Sequence, residues 1–276
     1  MFKLFKNSFF KTNDCIILVA PMIIFLSIIG WYSGYARISI DTVPKLLVGL
    51  CTFIILINAF LSAWFYMVKQ ALNLTSHVFI FDKDRAKALI NLILHFPKGI
   101  GRLFFPLCGI SLVLVAIYTV AATIINFFVS KYVSPLDLTT LGIGYSFMSS
   151  EEIFNEIMEL SNVQLVALNC WYILLGLVTL FVSFFGLLWI PEVVYGEKDP
   201  YRALKISIQK IFMFSWEYTL LFSFLVILYI VTCVTNAILM INPVLYFMVL
   251  IISYYFILYT VVLLFSYYET MFLKED

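Results

Sequence analysis

The sequence predicts an all-α fold: a polytopic membrane bundle of six transmembrane helices. Three observations carry that prediction. Of the 276 residues, 63% are apolar and 12% charged, against about 45–50% and about 25% in soluble domains, so too few charges remain to solvate a globular surface. Runs free of Asp, Glu, Lys and Arg occur at Cys15–Ala36, Leu46–Val68, Leu103–Ser130, Leu160–Pro191 and Tyr218–Tyr268. Each meets the roughly 20 apolar residues that a helix needs to cross a bilayer. The runs are continuously apolar rather than alternating, which selects helices over a barrel, because a helix pairs its own backbone amides in a water-free core. This composition excludes a secreted disulfide scaffold, an ordinary cytosolic enzyme, a nucleic-acid binder and a disordered chain.

Taken in order, the spans fall at about 15–36, 46–68, 103–130, 163–190, 218–240 and 244–268, in a single integral membrane domain covering 1–276. The first follows a basic front of Lys3, Lys6 and Lys11 and ends in Gly30-Trp31-Tyr32. Its length and the absence of a small-residue cleavage site make it an uncleaved anchor rather than a signal peptide. Gly30-x-x-x-Gly34 is a small-residue packing pattern. The last apolar run is too long for one span and divides at Asn242-Pro243, a turn signal. Asn58, Asn126, Asn169, Asn236, Ser183 and Thr123 lie inside spans and are expected to hydrogen-bond between helices. Trp31, Tyr35, Trp64, Tyr66, Trp171, Trp189 and Trp216 sit at span ends, where amphipathic rings prefer the headgroup level. The five cysteines show no paired spacing and are expected to be buried thiols.

Charge sets the orientation. Segments 1–14, 69–102, 192–217 and 269–276 hold 14 of the 17 Lys and Arg, leaving only Arg37, Lys45 and Lys131 for the other side. Lys and Arg resist translocation, so the basic side, with both termini, is expected to face the cytoplasm. The opposite side carries a loop over 131–162. There Ser149 and Glu152 have capping-box spacing ahead of an acidic helix.

Two elbows interrupt the basic side, at 84–96 and 199–213. Lys83-Asp84 precedes Lys87-Ala88-Leu89 as Lys198-Asp199 precedes Arg202-Ala203-Leu204, at an offset of 115 residues that also carries spans two and three onto four and five. Since both copies lie on one side, the pattern reads as a parallel repeat. Asp84 and Asp199 are suitable N-caps, and Pro200 fits the first helical position. In the second elbow Leu204, Ile208, Ile211 and Phe212 form an apolar face opposite Arg202, Lys205 and Gln209. In the first, Leu89, Leu92, Ile93 and Phe96 oppose Lys87, Asn91 and Lys98. Apolar-plus-basic faces at a 3.6-residue period suit a helix lying on anionic lipid. Pro97 and the Gly99-x-Gly101 pair are expected to end the first elbow sharply.

Pro191-Glu192-Val193-Val194, Gly196, Asp199-Pro200, Ala203-Leu204, Ser207 and Trp216 resemble a pattern in a broad group of bacterial six-span proteins. The group includes the YciC-like proteins and the membrane domain attached to some glycerophosphodiester phosphodiesterases. The likeness covers about 30 residues closely. It implies a bundle in the bacterial inner membrane without assigned chemistry; no soluble phosphodiesterase domain is present, so that activity does not carry over.

No predicted span contains a charged residue, and no metalloprotease, serine-hydrolase or P-loop motif occurs. The sequence therefore points to a non-enzymatic protein without a metal or other cofactor. Its basic elbows would organise membrane lipids or a partner complex through Lys87, Lys198, Arg202, Lys205 and Lys210. Glu192 and Glu217, at the ends of spans four and five, form a boundary ion pair with elbow cations or a polar site. The alternative is a permease or exporter subunit whose elbows couple to a cytoplasmic ATPase.

Overall fold

The computed structural model describes residues 1–39, 42–75, 87, 91–135, 161–196, 198–239 and 243–273. Among them there is no strand. The chain is a multi-pass helical membrane protein, with six helices long and apolar enough to span a bilayer. In chain order the helices are α1 (Phe2–Asp14), α2 (Val19–Ser39), α3 (Val43–Thr75), α4 (Phe96–Tyr132), α5 (Asn162–Gly186), α6 (Trp189–Tyr195), α7 (Pro200–Met213), α8 (Ser215–Leu239) and α9 (Pro243–Tyr268). Short 3₁₀ segments at Ile16–Leu18 and Leu92–His95 lead into α2 and α4, and a π-turn, Glu269–Leu273, ends α9.

The helices overrun the predicted spans, chiefly on the basic side. At 33 residues, α3 is roughly 50 Å long at 1.5 Å per residue, well beyond the hydrocarbon. Its surplus turn carries Lys69. α4 starts at Phe96 rather than Leu103, so Pro97 and the Gly99-x-Gly101 pair lie inside its first turns instead of breaking an elbow. Proline is accepted there because the first amides of a helix have no intrahelical partner. Gly99 serves packing: a Cβ on it would lie 2.7 Å from the Ala63 Cα and 2.9 Å from the Ser62 carbonyl of α3. The Gly30/Gly34 pattern makes no such approach, since a Cβ at either would meet nothing within 4 Å among the described residues.

α5 opens with a capping box that the sequence reading missed. Ser161 Oγ accepts from the Gln164 amide at 3.4 Å, and Gln164 Oε1 accepts from the Ser161 amide at 3.0 Å. Span four then breaks after Gly186, and α6 follows as a separate helix. The expected Ser149–Glu152 box, the acidic helix of the outer loop, the Asp84 cap and most of the first elbow fall outside the described residues. Where the first elbow is described, Lys87 is exposed and Leu92–His95 forms a 3₁₀ turn. The residues 115 further on belong to the α-helical α7.

Two compact units divide the chain: one of residues 1–31, 51–109 and 185–276, the other of 32–50 and 110–184. The second has a small core of Ile125, Val129 and Ala167, with Cys170, Trp171, Leu175 and Val178 against it. The first holds a larger core, concentrated at its basic end around Trp64, Met67, Leu72, Leu188, Leu221, Leu258 and Phe265.

Several sequence expectations change in this packing. Trp64 and Trp189 are core residues rather than headgroup anchors; the indole of Trp64 donates to the Leu18 carbonyl at 3.0 Å and that of Trp189 to the Pro200 carbonyl at 2.7 Å. Trp31 and Trp216 are exposed, as the belt reading requires. Asn58, Asn169 and Thr123 each hydrogen-bond the carbonyl four residues earlier in their own helix. The side chain of Asn236 lies outside the described residues. None of the five cysteines forms a disulfide among the described residues; Cys15 is buried, while Cys51 and Cys233 are exposed on helix surfaces.

Candidate functional site

The segment Pro191-Glu192-Val193-Val194-Tyr195-Gly196 gathers the polar groups of the first unit. α6 is a helix of seven residues, so its last carbonyls lack intrahelical partners. Gly196 N–H caps the Glu192 carbonyl at 2.8 Å. Lys69, from the surplus turn of α3, donates to the Val194 carbonyl at 2.8 Å and lies 4.5 Å from the centre of the Tyr195 ring. The Tyr195 hydroxyl donates to Glu269 Oε1 at 2.7 Å, which ties α6 to the π-turn.

Glu192 is 3% exposed. A carboxylate so buried must be paired, and two groups meet it. Lys210 Nζ, on α7, donates to Glu192 Oε2 at 2.6 Å and to the Tyr268 hydroxyl at 2.6 Å. The Tyr268 hydroxyl donates to the same Oε2 at 2.7 Å. Such charge-assisted contacts are short and roughly twice as strong as neutral ones. Lys210 also lies over the Tyr268 and Phe272 rings, at 4.5 and 5.0 Å. A Cβ on Gly196 would sit 2.8 Å from Glu192 Oε1, so glycine there leaves room for the carboxylate.

These contacts correct two expectations. Glu192 does form an ion pair with the elbow, but with Lys210 rather than with Lys198, Arg202 or Lys205. Lys210, expected among the lipid-facing cations, turns inward as that partner. Glu217 is half-buried and takes no part in the cluster. Lys69, Tyr195, Tyr268 and Glu269 were missed because their partners are 58 to 125 residues away along the chain, or belong to a turn with no sequence signature.

α7 is the second part of the site. Asp199 caps it as expected, its Oδ1 accepting from the amides of Tyr201 at 2.9 Å and Arg202 at 3.3 Å, with Pro200 in the first turn. The buried stripe is Ala203, Ser207 and Ile211, about one position round from the predicted face. Small residues at 203 and 207 let α7 approach closely, and Pro200 meets α4 where a Cβ on Gly109 would be 2.6 Å from its Cγ. Phe212, which the sequence places on the apolar face, is 70% exposed. Lys198, Arg202, Lys205 and Gln209 are exposed beside Tyr201, Phe212, Met213 and Trp216.

Known proteins offer no guide. No family model, curated protein or solved structure matches this chain. The buried cluster is thus read from its own chemistry. Its lysine and carboxylate pair with each other, and its contacts join α3, α6, α7 and α9. The exposed face of α7 carries the charges of Lys198, Arg202 and Lys205.

Proposed function

We propose that this protein is a non-enzymatic organiser of anionic lipid at the cytoplasmic face of a bacterial inner membrane, with both termini on that face. The outward face of α7 carries this reading. Cations and large rings are exposed together there, on a helix anchored from behind by Trp189 and the Glu192–Lys210 pair. Lipid-exposed rings beside Lys and Arg are the composition of a helix that lies in the headgroup layer. Lys198, Arg202 and Lys205 supply the charge, and Lys87 belongs to the same reading of the first elbow. The likeness to the YciC-like group supports the membrane assignment.

Each cation near an anionic surface is worth about 1 kcal/mol, and 1.4 kcal/mol is tenfold in an equilibrium. Replacing Lys198, Arg202 and Lys205 together by Ala should therefore lower retained phosphatidylglycerol at least tenfold, measured by mass spectrometry of protein purified from mixed-lipid nanodiscs. The loss should shrink in high salt. Unchanged retention, or an ATPase that co-purifies in fixed proportion and drives solute flux, would overturn the proposal.

A further inference from the structure

We infer that a second lipid site, specific for the phosphate of an anionic phospholipid headgroup, lies between α1 and the end of α9. It stands independently of α7.

In sequence, residues 1–14 read as the basic front of the first span. They form a helix that packs on the last span. Phe5 stacks on Phe224 at 4.3 Å, Phe9 meets the rings of Tyr255 and Tyr259, and the Tyr255 hydroxyl donates to Asn13 Oδ1 at 2.7 Å. Another stripe of α1 faces a cavity of about 470 Å³, whose polar lining is Lys3, Asn7, Ser8, Lys11, Ser266 and Thr270. That volume lies within the roughly 300–1,000 Å³ typical of small-ligand sites.

Two features of this lining point to an anion. Lys3 and Lys11 bring positive charge, and among the described residues no carboxylate lines the cavity. Ser8 is 0% and Ser266 2% exposed, yet neither hydroxyl has a hydrogen-bond partner among the described residues. A buried hydroxyl without a partner costs free energy, and natural interiors rarely keep two beside one cavity. A phosphate accepts from hydroxyl, amide and ammonium donors at once, which is the set gathered here. Thr270 is already committed, donating to the Ser266 carbonyl at 2.7 Å, so Ser8, Ser266, Asn7 and the two lysines are the donors.

A lipid is favoured over free phosphate by what surrounds the donors. Leu4 and Met1 complete the lining, and Ser266 and Thr270 belong to the last membrane-spanning helix, Met248–Leu273. A basic cavity at the end of a membrane span suits a lipid headgroup whose acyl chains stay in the hydrocarbon.

The test uses full-length protein in zwitterionic nanodiscs, titrated with short-chain phosphatidylglycerol, short-chain phosphatidylcholine or inorganic phosphate, and read by native mass spectrometry. Tight uptake of about one phosphatidylglycerol, weakened at least fivefold in Lys3→Ala/Lys11→Ala and again in Ser8→Ala/Ser266→Ala, is the expected result. Lys3→Arg/Lys11→Arg should restore most of it. The triple alanine variant at 198, 202 and 205 should leave this uptake within twofold, which separates failure here from failure at α7. Equal uptake by wild type and both alanine variants would overturn the inference. So would competition by inorganic phosphate at the same concentration as the lipid, or equal binding of phosphatidylcholine.

Discussion

At the scale of single residues, Glu192 and the glycines decide most. Glu192→Gln removes the charge that Lys210 was brought in to meet. Breaking a buried pair from one side costs about 3–5 kcal/mol, and the lower end applies because the Lys210 side chain is 22% exposed and can reach toward water. The double variant Glu192→Gln/Lys210→Met should recover much of that loss, as judged by unfolding of the detergent-solubilised protein; a double variant no better than the single would refute the pairing. Gly99→Ala would drive a methyl into Ala63 and Ser62 and should cost about 1–3 kcal/mol. Gly101→Ala meets nothing within 4 Å, so it should be neutral or stabilise by about 0.5–1 kcal/mol through helix propensity. Equal effects at the two positions would show that α3 and α4 are not in close contact at Gly99.

At the scale of elements, α7 owes its start to one side chain. Asp199→Ala removes acceptance from two first-turn amides, a loss of about 1 kcal/mol. Faster amide hydrogen exchange at Tyr201 and Arg202, with α8 unaffected, is the expected signature. The helix should still dock, because Ala203, Ser207 and Ile211 remain against the protein. Ser207→Leu is the harsher change, since position 207 is fully buried and admits only a small side chain. It should displace α7 and cost more than the lost cap.

For the whole molecule, the unequal distribution of Lys and Arg predicts topology. With the native cysteines replaced, a cysteine at Ser149 should react with an impermeant thiol reagent from outside the cell, and one at exposed Lys205 only after permeabilisation. Replacing the native thiols matters because Cys51 and Cys233 are exposed. Labelling of both positions from the same side would refute the six-span arrangement.

The class of the molecule, the six spans and the elbow cap were legible from local chemistry: continuous apolarity, the break signal of Asn242-Pro243, and Asp199 before Pro200. It also marked Glu192 as an ion-pair former. Its partner was not legible, since α7 presents Ala203, Ser207 and Ile211 inward and so swings Lys210, not Arg202 or Lys205, toward the carboxylate. Nor was α1, whose role depends on aromatic partners more than 200 residues away. Tertiary structure alone decided which cations are neutralised inside and which face outward. A charge is buried only where an opposite charge or dipole arrives from another helix, and that meeting is a property of packing rather than of neighbouring residues.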